Sequence, residues 1–109
     1  MAYDEHLADR IRMTLHEKGI KFQEKKMMGG LTFMVQDKMC VGIVKNDLMA
    51  RIGKENDEMA LRKPGCRVMD FTGKPMKGYV FVDPSAIDMD SELDYWIELC
   101  IEFNKTLKS

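Results

Sequence analysis

Phe22-Gln23-Glu24-Lys25-Lys26-Met27-Met28-Gly29-Gly30-Leu31-Thr32-Phe33-Met34-Val35-Gln36-Asp37-Lys38-Met39-Cys40-Val41-Gly42-Ile43-Val44 is a run rich in β formers, cut twice by turn residues. Gly29-Gly30 is a hairpin signal, because both glycines tolerate the positive φ that a tight primed turn requires. Asp37-Lys38 closes a second hairpin. The reading is three strands, Phe22–Met28, Leu31–Gln36 and Met39–Val44, in an antiparallel meander, since turns this short leave no room for a crossover. Asn46-Asp47 punctuates again before Leu48-Met49-Ala50-Arg51-Ile52, a fourth strand with Leu48, Ala50 and Ile52 on one face.

Helices flank this meander. Upstream, Leu7, Ile11 and Leu15 recur at four-residue spacing with Ala8 beside them, which predicts an amphipathic helix over Asp4–Lys18, capped by Asp4 and stopped by Gly19. Downstream of Gly53, Lys54–Arg62 reads as a short helix ended near Pro64-Gly65. Cys66–Gly78 contains Gly73, Pro75 and Gly78 and reads as a loop or irregular edge, followed by a short strand, Tyr79–Val82. A last helix, capped by Asp90 or Ser91, carries Leu93, Trp96, Ile97, Cys100, Ile101 and Phe103 or Asn104 as its apolar stripe. The order is α-β(3-4)-α-β(1-2)-α: a two-layer α+β domain with an antiparallel sheet of about five strands, two longer helices and one short one.

The chain has 109 residues, 45% of them hydrophobic and 32% charged. That length buries roughly two thirds of the unfolded surface in one core, so a single domain over 1–109 is expected. No apolar run approaches the ~20 residues that cross a bilayer, and Asp4, Glu5, Asp9, Arg10 and Glu17 interrupt the first thirty positions, which argues against a signal peptide and for a cytoplasmic chain without a membrane partner. Eleven methionines exceed ordinary usage and are read chiefly as core filler. Charge is uneven: Asp83–Asn104 holds seven acids and no base, whereas Lys38–Lys77 holds nine bases and five acids. The two segments read chiefly as ordinary solvated surfaces; otherwise they could attract each other within a monomer, across a dimer, or draw separate partners.

Candidate chemistry is sparse. His6 and His16 lie ten residues apart on the first helix, rotated by about 80° at 3.6 residues per turn, so they make no metal face. Cys40 and Cys100 fall on apolar faces and read as core. Cys66 sits near Arg62, Lys63 and Arg67, which could lower its pKa, but it has no base in sequence to pair with, and an enzyme is not expected. Gly29-Gly30 lacks the pattern of a phosphate loop. No catalytic residue, cofactor or metal is predicted.

Two strings carry a family resemblance: Lys26-Met27-Met28-Gly29-Gly30-Leu31 with Met34-Val35, and Arg67-Val68-Met69-Asp70-Phe71-Thr72-Gly73-Lys74-Pro75-Met76-Lys77-Gly78-Tyr79-Val80. In order and spacing the chain resembles the N-terminal domain of the TfoX/Sxy family from about Asp4 to Phe103, the second string being the more specific. The resemblance implies a secretion-chaperone-like two-layer fold. It also implies a non-enzymatic binding or regulatory module acting through protein contacts. The family's competence regulators carry a further C-terminal helical domain and act as transcriptional co-activators with the cyclic-AMP receptor protein; ending at Ser109, this sequence is read as a stand-alone N-terminal-like domain.

The expected contact surface is the loop Phe71–Gly78 with its neighbours: Arg62, Lys63, Arg67, Phe71, Lys74, Met76 and Lys77. The alternative is a nucleic-acid-associated regulator using the basic loop 62–77, with Arg67 and Lys77 on phosphates and an affinity that falls steeply with salt. A homodimer is a further expectation, through exposed strand edges or the acidic last helix facing the basic middle of a second copy.

Overall fold

The computed structural model describes residues 3–27, 30–71 and 74–107, with side chains described for all of these except 27, 68–71 and 74–77. The chain runs α1 (Glu5–Glu17), β1 (Gln23–Met27), β2 (Gly30–Val35), β3 (Lys38–Val44), β4 (Asp47–Arg51), α2 (Lys54–Leu61), β5 (Cys66–Phe71), β6 (Lys74–Val82), a 3-10 turn (Pro84–Ile87) and α3 (Asp90–Thr106). Among the described residues six strands form one sheet in the order β1-β2-β3-β4-β6-β5, and every neighbouring pair is antiparallel. The α+β class stands, with one strand more than the sequence suggested.

That extra strand corrects the reading of Cys66–Gly78. Its Gly and Pro residues do not break the sheet but are absorbed by a hairpin, with Phe71 opposite Lys74 and a register shift between Val68 and Asp70. The pairing tolerates Pro75 because β4 pairs with β6 only over Tyr79–Val82, so at Pro75 the ladder runs to β5 alone among the described strands and is irregular nearby. The second hairpin is also displaced by one residue: β2 ends at Val35 and β3 starts at Lys38, so Gln36-Asp37, at φ 54° and 63°, is the turn. Two successive left-handed residues match the twist of the flanking strands, which is why this pair replaces Asp37-Lys38. At the first hairpin Gly30 already pairs with Met27, while Gly29 lies outside the described residues. Gly30 is required there, since a Cβ would fall 1.9 Å from the carbonyl oxygen of Ile43.

The helices form one layer. In α1, Asp4 Oδ1 accepts from the N–H groups of His6 and Leu7 at 2.9 and 3.3 Å, and Gly19 leaves the helix at φ 71°, as expected. Leu7, Ala8, Ile11 and Leu15 from α1, Ala60 from α2, and Leu93, Trp96, Ile97, Cys100 and Ile101 from α3 join Leu31, Phe33, Val41, Ile43, Leu48, Ala50, Val80 and Val82 of the sheet in one buried core. The register shift between Phe33 and Met34 places both Cys40 and Val41 in that core. Burial pushes the Cys40 thiol up to about 12 and the Cys100 thiol well above its ordinary value, in keeping with their structural role.

The stripe on α3 ends in Asn104 rather than Phe103: Asn104 is buried and its Nδ2 donates to the carbonyl oxygen of Val35 at 3.1 Å. Neither Asp90 nor Ser91 caps this helix. Met89 occupies the cap position, and Glu92 Oε1 accepts from the Met89 N–H at 3.2 Å.

Among the described residues the opposite sheet face is lined by strands alone. Met39 and Met49 are buried there among Met34, Val44, Tyr79 and Phe81. The methyl carbon of Met49 lies over Gly42, 2.7 Å from where a Cβ would stand, so the methionine occupies the space that the glycine leaves. Met13, Met59 and Met89 are exposed, so core filling accounts for only some of the methionines.

Candidate functional site

The surface singled out by sequence lies on the β5–β6 hairpin and the corner before it. Arg62 follows α2 as its C-cap residue, and the turn Lys63-Pro64-Gly65 leads into β5. Gly65 sits at φ 79°, where its carbonyl accepts from Asp83 N–H at 2.7 Å, and a Cβ would meet that of Ala86 at 2.7 Å. The corner is thereby pinned to the 3-10 turn.

Each described cation of this surface has a partner. Arg62 Nη2 lies 2.9 Å from Glu58 one helical turn earlier, in a pair that is open to solvent. Lys63 Nζ stands 4.5 Å above the ring of Tyr95 on α3. Arg67 Nη2 reaches Asp47 Oδ2 at 2.8 Å, and its guanidinium lies 5.8 Å from the ring centre of Phe81. The hydrogen bond to Asp47 holds the Arg67 charge more firmly than usual. Asp47 and Tyr95 are contributions that sequence reasoning missed, because Asp47 reads as a turn residue and both contacts join distant parts of the chain. The side chains of Phe71, Lys74, Met76 and Lys77 lie outside the described residues.

Beside this corner a cavity of about 390 Å³ is lined by Lys63, Pro64, Gly65, Ser85, Tyr95 and Trp96. It is an open cleft with one cation, one carboxylate from Glu92, two aromatic rings and the hydroxyl-bearing Ser85 and Ser91. Such a lining suits the side chain of a partner rather than a reaction.

Cys66 does not become a thiolate. Burial pushes its thiol up to about 11, the nearby Asp57 adds to this, and Arg67 opposes it only weakly because Asp47 already engages that guanidinium. His6 and His16 are exposed on α1.

The described ion pairs of α3 do not fall between the two charged segments, whose mutual attraction is one alternative offered by the sequence. The acids of α3 are met by α1: Lys18 Nζ lies 2.8 Å from Asp94 and 2.6 Å from Glu98, and Arg10 lies 3.3 Å from Asp90. Attraction to the basic middle is not what docks α3. A second tie joins α1 to β1, where Arg12 Nε and Nη2 donate to both oxygens of Glu24 at 2.6 and 2.7 Å.

No helix among the described residues is long and apolar enough to cross a membrane. A family model described as the TfoX N-terminal domain matches residues 16–104. No curated protein and no solved structure matches the chain.

Proposed function

The chain belongs to the TfoX N-terminal domain family, and from that premise we propose that it is a non-enzymatic regulatory module that works by contacting another protein. The contact surface is the β5–β6 hairpin with Arg62, Lys63, Arg67, Phe71, Lys74, Met76 and Lys77. The observation that carries this reading is the position of β5 as the terminal strand of the sheet. Among the described residues no strand lies beside one edge of its backbone, next to the Arg62–Gly65 corner and the cleft lined by Tyr95. An outer strand flanked by cations and a shallow aromatic cleft is suited to an extended acidic segment of a partner.

The basic loop supports nucleic-acid binding less well, because Arg62 and Arg67 already hold carboxylates that phosphates would have to displace. Pairing of two copies through β1 is also disfavoured, since Glu24, Lys25 and Lys26 leave charges exposed along that edge.

The test is affinity capture from native lysate with wild type and the Lys74→Ala, Lys77→Ala double variant, with and without nuclease. A protein retained by wild type, resistant to nuclease and lost in the variant is the expected result. Equal capture by both forms, or only nuclease-sensitive material, overturns the proposal.

A further inference from the structure

The sheet face opposite the helices holds a pattern that the hairpin does not use. Reading the register across all six strands gives one continuous row, Lys25, Thr32, Gly42, Met49, Phe81 and Arg67. In the next row Arg51 pairs with Tyr79. Tyr79 and Phe81 therefore stand two residues apart on β6, on the same face, both half-buried, with an apolar floor of Met34, Met39, Met49 and Val44 beside them. A guanidinium accompanies each ring: Arg51 lies 5.4 Å from the centre of Tyr79, and Arg67 lies 5.8 Å from that of Phe81.

We propose that this face binds single-stranded nucleic acid, stacking bases on Tyr79 and Phe81 and holding phosphates with Lys25 and Arg51. The proposal goes beyond the protein contact at the hairpin and does not depend on it.

Three observations converge. The first is the strand itself: Lys77-Gly78-Tyr79-Val80-Phe81-Val82 follows the order basic, glycine, aromatic, any residue, Phe, Val. In sheets that read single-stranded RNA a strand of this order, together with aromatics of a neighbouring strand, stacks two or three bases. The likeness is to one strand and its face. This sheet has a different strand order, Val80 stands where a small residue is usual, and Pro84 replaces a third aromatic. Val80 is nevertheless fully buried in the helix-side core, so its size does not obstruct the open face.

The second observation is charge. On this face Asp47 neutralises Arg67, with Asp83 close enough to act on the same guanidinium, which leaves Lys25 and Arg51 as its cations without a carboxylate partner among the described residues, Arg51 lying between the rings of Tyr79 and Phe103. The acids of α3 are held on the other side by Arg10 and Lys18. A phosphate chain thus meets a locally positive surface.

The third observation is the identity of the occupant. Cations stand at both ends of the row, Lys25 on one outer strand and Arg67 on the other. A second copy laid face to face would bring like charges together. Flat rings with guanidinium groups over them favour flat, anionic strands, because every base offers a π face and every nucleotide a phosphate.

The test is fluorescence anisotropy of the full chain with labelled oligouridine RNA, a matching single-stranded DNA and a duplex. Saturable binding that prefers single strands is expected, with a log–log salt slope of about −0.7 per phosphate contact. Tyr79→Leu and Phe81→Leu keep the apolar floor but remove stacking, and each should weaken binding roughly 5- to 150-fold. Lys25→Gln should make the salt slope shallower by about 0.7, and Lys105→Gln, on the exposed end of α3, should change nothing. If a leucine variant does not fold, the Lys25→Gln slope and quenching of a 2-aminopurine base by the wild-type chain decide. Absence of saturable binding, equal affinity for duplex, or binding indifferent to both leucine variants overturns the proposal. So does saturable binding of an acidic peptide without any response to oligonucleotides, which would assign the face to a protein.

Discussion

The backbone N–H of Gly53 donates to the carbonyl oxygen of Gly78 at 3.1 Å, and both glycines are left-handed, at φ 89° and 87°. The same oxygen accepts from Ile52 N–H at 2.8 Å, so it fixes the corner where β4 turns into α2 against β6. The packing leaves no room for a side chain. A Cβ on Gly53 would lie 2.4 Å from Cδ1 of Phe103, and one on Gly78 would lie 3.2 Å from the backbone carbon of Gly53.

Gly53→Ala should therefore destabilise the fold by about 2–4 kcal/mol, combining a left-handed backbone with displacement of the Phe103 ring. Gly19→Ala supplies the comparison. Gly19 has φ 71° with nothing within 4 Å of its Cβ position, so only the backbone penalty of about 1–2 kcal/mol applies. Urea unfolding of the two variants should show the larger loss at Gly53.

Asn104→Leu tests the buried polar contact that closes the α3 stripe. The substitution keeps the side chain's bulk but leaves the Val35 carbonyl without its donor. A loss of about 1–3 kcal/mol is expected in urea unfolding. A neutral or stabilising result would show that this hydrogen bond adds nothing to docking of α3.

The helices and the meander were legible because their signals are local: Leu7-Ile11-Leu15 at helical spacing, the Asp4 cap, and β formers between turn residues. The sixth strand was not. Glycine and proline in Cys66–Gly78 read as breakers, and only pairing of β6 with β4, across the intervening α2 and β5, shows that they sit in an outer hairpin. The partners of the candidate cations were equally hidden, since Arg67–Asp47 and Lys63–Tyr95 join residues far apart in the chain. The paired rings of Tyr79 and Phe81 became a surface only once the register put them on the face away from the helices.

Stability should fall in base. The hydrogen bonds of Lys18 to Asp94, then to Glu98, raise its pKa above the ordinary 10.5. Its contribution is complete below the unfolded value and is lost as pH rises through the folded one. Cys40 acts in the same sense: its thiol stays neutral in the fold up to about 12 but ionises near 9 when unfolded, so unfolding releases a proton between these values. Thermal melting from neutral pH upward should show a decline beginning near the ordinary thiol range. Lys18→Ala should cost at most about 1 kcal/mol at neutral pH, less in high salt, because the pair is partly exposed.

Cys66 should alkylate slowly. With its thiol at about 11, iodoacetamide at neutral pH should react well below the rate of an unstructured cysteine, and the rate should climb as pH approaches that value. Rapid labelling at neutral pH would show a thiolate and reopen a nucleophilic role.

The central claim, a protein contact at the hairpin corner, is tested most directly by photo-crosslinking in cells from a crosslinker placed at Arg62 or Arg67. Glu5, exposed on α1, serves as the control position. A discrete protein adduct from the hairpin positions, absent from Glu5 and abolished by Lys74→Ala, Lys77→Ala, is the predicted result. Adducts that are equal at all three positions, or absent from the hairpin, would contradict it.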